Sequence, residues 1–145
     1  MNTRIITFII GWILRLEALF MIPALLISIF YSEKKSITAF VGTIVIIFIT
    51  SELLLFNKPK ETHFFAREGF VVVALCWISM SFFGSLPFFL STEIPSFVDC
   101  FFETVSGFTT TGSSILSNIE IIDKGLLYWR SFLTGLGAWE YLCFY

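Results

Sequence analysis

The sequence predicts an all-α integral membrane protein. Two N-terminal transmembrane helices are followed by a helix, a half-spanning helix, a polar loop and the start of another helix. Three observations carry this prediction. Of 145 residues, 57% are hydrophobic and only 14% are charged, against about 25% charged and about 45–50% apolar in a soluble domain. The charges gather between long apolar runs instead of alternating with them. Residues 94–118 match neither a span nor a plain linker, because an apolar start gives way to a run of Thr, Gly and Ser. The same composition excludes a coiled coil and a disordered chain, and a net charge of −2 offers no basic field for nucleic acid. Membrane lipid is the expected surrounding.

A spanning helix needs roughly 20 mostly apolar residues. Charge-free runs occupy 18–32, 36–51, 69–92, 104–119 and 131–139. The first becomes long enough when extended back through Arg15 to Ile5, giving a segment 5–30 with Pro23 as an expected kink. Arg15 and Glu17 then lie within the membrane, where charges are costly; packing against a neighbouring helix, or snorkelling, is the expected solution. The short link with Glu33, Lys34 and Lys35 makes segment 37–56 the second arm of an antiparallel hairpin. Segment 69–90 spans without any charge, and Pro87 can bend its exit. Segment 125–145 is long enough to begin a fourth span although it holds Arg130 and Glu140. The chain thus divides into an N-terminal transmembrane hairpin, 1–60, and a second unit, 61–145.

The link 57–68 carries Lys58, Lys60 and Arg67, whereas Glu93, Asp99, Glu103, Glu120 and Asp123 precede Lys124. By the positive-inside rule the basic link and the N-terminus are cytoplasmic. Lys34 and Lys35 then fall outside, against the rule. No small-residue cleavage site bounds a short apolar core near Arg4, so no cleaved signal peptide is expected. Cys76, Cys100 and Cys143 lack metal-type spacing and read as small apolar residues. His63 reads as a structural or solvated group.

The chemistry concentrates in 94–118. Pro95 suits a first helical position, and Phe97, Phe101 and Val105 recur at helical spacing while Asp99 and Glu103 share another face. With Gly107 as the stop, the prediction is a helix over 95–106. At 1.5 Å per residue it covers only about half the hydrocarbon core. The polar run 107–114 follows it. Irregular backbone at membrane depth must be buried in protein or line water, so a re-entrant loop is one reading and an extended linker is the other. In the re-entrant reading the helix C-terminus, partly negative, faces the loop and favours a cation. Thr and Gly carbonyls replace an ion's hydration shell, and Gly112 permits backbone angles that a side chain forbids. Asp99 and Glu103 are either solvated or capping residues, or a source of cation-attracting field at a pore mouth.

The string Phe102-Glu103-Thr104-Val105-Ser106-Gly107-Phe108-Thr109-Thr110-Thr111-Gly112-Ser113-Ser114, followed by Trp129-Arg130-Ser131, resembles the TrkH/KtrB family of bacterial potassium uptake proteins. Phe65-Ala66-Arg67-Glu68-Gly69 belongs to the same match, which covers about 66–137. The two extra N-terminal helices resemble the TrkH branch. The resemblance implies a potassium-channel-like pore of four linked repeats, each made of helix, pore helix, filter and helix, with 61–145 as the first. It implies that Thr110, Thr111, Gly112 and Ser113 are the filter, the carbonyls of Thr110 and Thr111 facing the ion. It also implies potassium as substrate with no bound cofactor, a homodimer, and a TrkA-like cytoplasmic nucleotide-binding subunit. The expected location is the bacterial cytoplasmic (inner) membrane, with symport in some family members and channel-like flow in others.

After Arg130-Ser131 the chain departs from the family's usual continuation, reading Phe132-Leu133-Thr134-Gly135-Leu136-Gly137-Ala138-Trp139 to Tyr145. Two readings of the chain follow. One is a potassium transport protein represented by one repeat. The other is a truncated or frameshifted nonfunctional fragment, or a noncatalytic membrane assembly subunit. An enzyme is not expected, since no paired carboxylates, nucleophile elbow, phosphate loop or metal-ligand cluster occurs in the sequence.

Overall fold

The computed structural model describes residues 3–56, 66–115 and 122–143. The link that holds Lys58, Lys60 and His63 lies outside the described residues. Five helices occur among those described, and no strand: α1 (Thr3–Phe30), α2 (Lys34–Leu55), α3 (Ala66–Leu90), α4 (Phe97–Phe108) and α5 (Lys124–Cys143). Among the described residues three stretches are long and apolar enough to cross a membrane, namely α1, α2 and Gly69–Leu90 of α3. At 125–145, where a fourth span is expected to begin, the described residues hold the helix α5 (Lys124–Cys143), which with Lys124, Arg130 and Glu140 is not among those three. Pro23 and Pro87 both lie inside continuous helices.

The apolar runs predict α1–α3 because hydropathy is a local sum and a helix satisfies its own backbone in lipid. Helix endings follow a less obvious chemistry. After α1, Ser32 adopts φ 57°; its N–H donates to the Ile29 carbonyl at 3.0 Å and the Glu33 N–H to the Ser28 carbonyl at 3.0 Å. Thr92 (φ 61°) ends α3 in a related way, donating to the Phe89 carbonyl at 3.1 Å. Both residues take the left-handed conformation that usually belongs to glycine.

The short helix differs in register from the expected 95–106. Pro95 precedes it, and Ser96 holds the N-cap position with extended backbone (φ −97°, ψ 126°). Gly107 does not stop the helix, which continues through Phe108. A Cβ at Gly107 would lie 3.2 Å from the Leu133 Cβ, so this glycine serves close packing against α5.

α1 and α2 pack along each other, α1 also touches α3 and α5, and α4 sits between α3 and α5. One core runs through all five helices, with Leu14 and Met21 of α1, Phe40 and Ile47 of α2, Phe88 of α3, Cys100 of α4, and Trp129 and Leu133 of α5 fully buried. Cys76 and Cys100 are free and buried, as the apolar reading expects. Large apolar side chains such as Phe30, Phe56, Phe70 and Val98 face outward, as in a chain for which lipid is the solvent.

Arg15 turns to Glu52 of α2 in an ion pair, with its guanidinium 5.6 Å from the Phe48 ring centroid. Glu17 is buried against α3: a Cβ on Gly84 would lie 3.0 Å from its Oε1. Neither carboxyl oxygen of Glu17 has a hydrogen-bond partner among the described residues.

Candidate functional site

The site begins in the middle of α4. Its first turn carries Asp99, half-buried and placed where a carboxylate favours the helix N-terminus. One turn on, Glu103 is 1% exposed. The two residues that the sequence places on one face thus meet different surroundings. Phe97, Phe101 and Val105 are only half-buried, and Phe97 packs on Phe82 and Phe89 of α3 at ring-centroid distances of 5.4 and 5.6 Å. The fully buried face comprises Cys100, Glu103, Thr104, Ser106, Gly107 and Phe108. Apolar periodicity therefore reports the helix but not its inner face, since lipid rewards outward apolar groups as well.

Glu103 gathers four donor contacts. Ser114 Oγ donates to its two oxygens at 3.0 and 3.2 Å, the Ile115 N–H donates at 3.1 Å, and Arg130 Nε of α5 pairs with Oε1. A buried carboxylate needs such compensation. Arg130 in turn has its charge met inside the protein, which explains how α5 carries it. Next to this pair, Trp129 Nε1 donates to the Gly84 carbonyl at 3.0 Å, tying α5 to α3.

The polar run closes α4. The Thr110 N–H donates to the Gly107 carbonyl and the Thr111 N–H to the Ser106 carbonyl, both at 3.1 Å, with Thr110 at φ 54°. This is the paired closure of a helix C-terminus on a left-handed residue. For a β-branched residue that conformation costs about 1–2 kcal/mol, and surrounding contacts must hold it. Thr109 Oγ1 donates to the Val105 carbonyl at 2.8 Å and meets Thr111 Oγ1 at 2.8 Å. Ser106 Oγ donates to the Ser113 carbonyl at 2.6 Å, fastening the returning segment to the helix it leaves. Gly112 has φ 71°, and a Cβ there would meet nothing within 4 Å. Residues 111–115 are exposed.

Thr110, Thr111, Gly112 and Ser113 thus form one open turn beyond the α4 C-terminus, secured from one side. Among the described residues no three His, Cys, Asp or Glu side chains converge as a metal site. The ligands on offer at the turn are carbonyl and hydroxyl oxygens, which suit a hard cation. Asp99 lies outside this cluster. Ser106, Ser114 and Arg130 stand in the strings that carry the family resemblance, but sequence reasoning assigned them no role in the site; Arg130, a cation in an apolar run, was the clearest signal of one.

Three long apolar helices packed with a helix too short to cross define a multi-pass membrane protein. Residues 36–144 match the TrkH family, described as cation transport protein. The chain belongs to that family. It is 31% identical over 145 residues to the Trk system potassium uptake protein TrkG of Escherichia coli (strain K12), covering 95% of this chain and 30% of the relative. It is 35% identical over 140 residues to the Trk system potassium uptake protein TrkH of Halomonas elongata, covering 95% of this chain and 29% of the relative. With TrkH of Vibrio parahaemolyticus the identity is 30% over 140 residues, covering 95% and 29%. The chain spans about 30% of the length of these curated relatives.

Proposed function

We propose that this chain contributes to potassium uptake across the bacterial cytoplasmic membrane, supplying one of four filter repeats. The single observation that carries the reading is the turn at Thr110–Ser113. It is fastened from one side by Ser106 and by the Glu103–Arg130 pair, and open on the other at Gly112. In this reading α4 is the pore helix, 107–114 the filter loop and α5 the start of the repeat's second transmembrane helix. Unit 1–60 is the N-terminal hairpin and 61–145 the first repeat. The carbonyls of Thr110 and Thr111 face the ion, and Gly112 lets the backbone turn towards it. Asp99 keeps a role in the field at the pore mouth. Glu103 instead positions the loop, because its charge is already committed to Arg130.

The relatives' names support potassium as the transported ion. A ring of four such turns is needed to surround one ion, so this repeat works with three others. By the same resemblance the assembly is a homodimer regulated by a TrkA-like cytoplasmic subunit, with the N-terminus cytoplasmic. The role is one of transport and not catalysis.

The test is Gly112→Ser within a complete four-repeat protein. The expected outcome is a loss of preference for potassium over sodium, read from ion fluxes in vesicles. An unchanged sodium-to-potassium ratio would show that Gly112 is no filter glycine.

A further inference from the structure

The α1–α2 link lies far in sequence from the Thr110–Ser113 turn, and it holds the helix that supports that turn. Glu33 occupies the N-cap position of α2, but its side chain makes no cap bond there. It reaches α5 instead. The Lys124 N–H donates to Glu33 Oε1 at 2.7 Å and the Gly125 N–H to Oε2 at 3.1 Å. The residue that ordinarily caps α5 is Asp123, whose carbonyl accepts the first helical bond from the Leu127 N–H at 3.1 Å. Its carboxylate is occupied elsewhere, accepting from Ser36 Oγ of α2 at 2.6 Å. The N-terminus of α5 is therefore capped in trans by the hairpin. An anionic cap also meets the positive end of the helix dipole.

α5 has little freedom to slide on this anchor. Near its start, a Cβ on Gly125 would lie 1.8 Å from Ser28 Oγ of α1. Twelve residues on, or about 18 Å along the axis, a Cβ on Gly137 would lie 2.0 Å from the Phe108 carbonyl oxygen and 3.0 Å from Thr110 Cγ2. Between these points Arg130 pairs with Glu103, which accepts from Ser114 and Ile115. A rod seated on Ser28 and the Ala24 carbonyl at one end and on the Phe108 carbonyl at the other transmits its axial position from one end to the other.

We propose that Glu33 is a positioning residue for the filter: by capping α5 it sets the height at which that helix meets Phe108, Thr110 and Glu103. The N-terminal hairpin thereby acts as a brace for a pore element to which it contributes no oxygen. The proposal rests on the filter reading for what is positioned, but its contacts stand on geometry alone.

The experiment is amide hydrogen exchange of the full chain in lipid nanodiscs without potassium. Glu33→Ala is expected to raise exchange at 124–127 and, about fivefold, at 113–115, while the centres of α2 and α3 stay protected. Glu33→Gln, which keeps the shape and one acceptor oxygen, is expected to fall between wild type and Ala at both places. Faster exchange at 124–127 with 113–115 unchanged overturns the proposal, as does no change at 124–127. If Ala also loosens α2 and α3, the Gln variant decides by the same comparison. No ion enters this readout. Should Gly112→Ser leave selectivity intact while Glu33→Ala loosens 113–115, the brace stands and the filter reading falls.

Discussion

In the N-terminal hairpin, Ser28, Thr43, Thr50 and Ser51 donate to carbonyls three or four residues back in their own helices. Around α4, Ser106, Ser114, Trp129 and Arg130 reach a different element. The same contrast separates two buried glutamates. Glu17 of α1 has no hydrogen-bond partner among the described residues, whereas Glu103 of α4 is met by Ser114, Ile115 and Arg130. A spanning helix satisfies its backbone internally, and the hairpin's bonds between elements include Arg15–Glu52, Ser36–Asp123 and Glu33 on the N-terminus of α5. A short helix that closes on a polar turn leaves carbonyls and a returning segment to be satisfied, and around α4 the neighbouring elements supply specific partners.

The largest expected effect breaks that contrast at its centre. Glu103→Leu leaves Arg130 without its partner and removes the carboxylate that accepts from Ser114 Oγ and the Ile115 N–H, and should cost about 3–5 kcal/mol in thermal unfolding of the detergent-solubilised chain. Loss of less than about 1 kcal/mol would mean that the pair is solvated and that α4 needs no such support.

A smaller effect separates two glycines of α5. Gly137→Ala drives a methyl group into the Phe108 carbonyl and should destabilise by about 1–3 kcal/mol. Gly135→Ala meets nothing within 4 Å and should stabilise by up to about 1 kcal/mol through helix propensity. Equal effects at both positions would remove the close approach between α5 and the α4 terminus. The smallest effect is expected in the hairpin, where Glu17→Gln breaks no described bond and should change stability by less than about 1 kcal/mol. A loss as large as that of Glu103→Leu would place an essential partner at Glu17 and erase the distinction between the two glutamates.

The readable parts of the site were those that depend on neighbours in sequence. The short helix was visible from Pro95 and the spacing of Phe97, Phe101 and Val105, although it runs two residues later than the spacing suggested. Gly112 was visible as a residue suited to unusual backbone angles, and it has φ 71°. Gly107 was misread as a helix stop because the space it leaves for Leu133 belongs to α5. The left-handed conformations at Ser32, Thr92 and Thr110 were invisible, since intrinsic preference argues against them and only the helix closures hold them.

The amino-acid sequence alone determined that the chain is a helical membrane protein, where its apolar helices lie, and that the region near Thr110–Ser113 is exceptional. Those properties are sums over adjacent residues, and the bilayer reads them locally. Only the tertiary structure decided which partner each charge takes: Arg15 with Glu52, Arg130 with Glu103, Glu33 with the N-terminus of α5. An acidic residue can be met by any donor that the packing brings within reach. Helices pack at heights set by close contacts such as Gly125 on Ser28 and Gly137 on Phe108, and those contacts join residues with no relation along the chain.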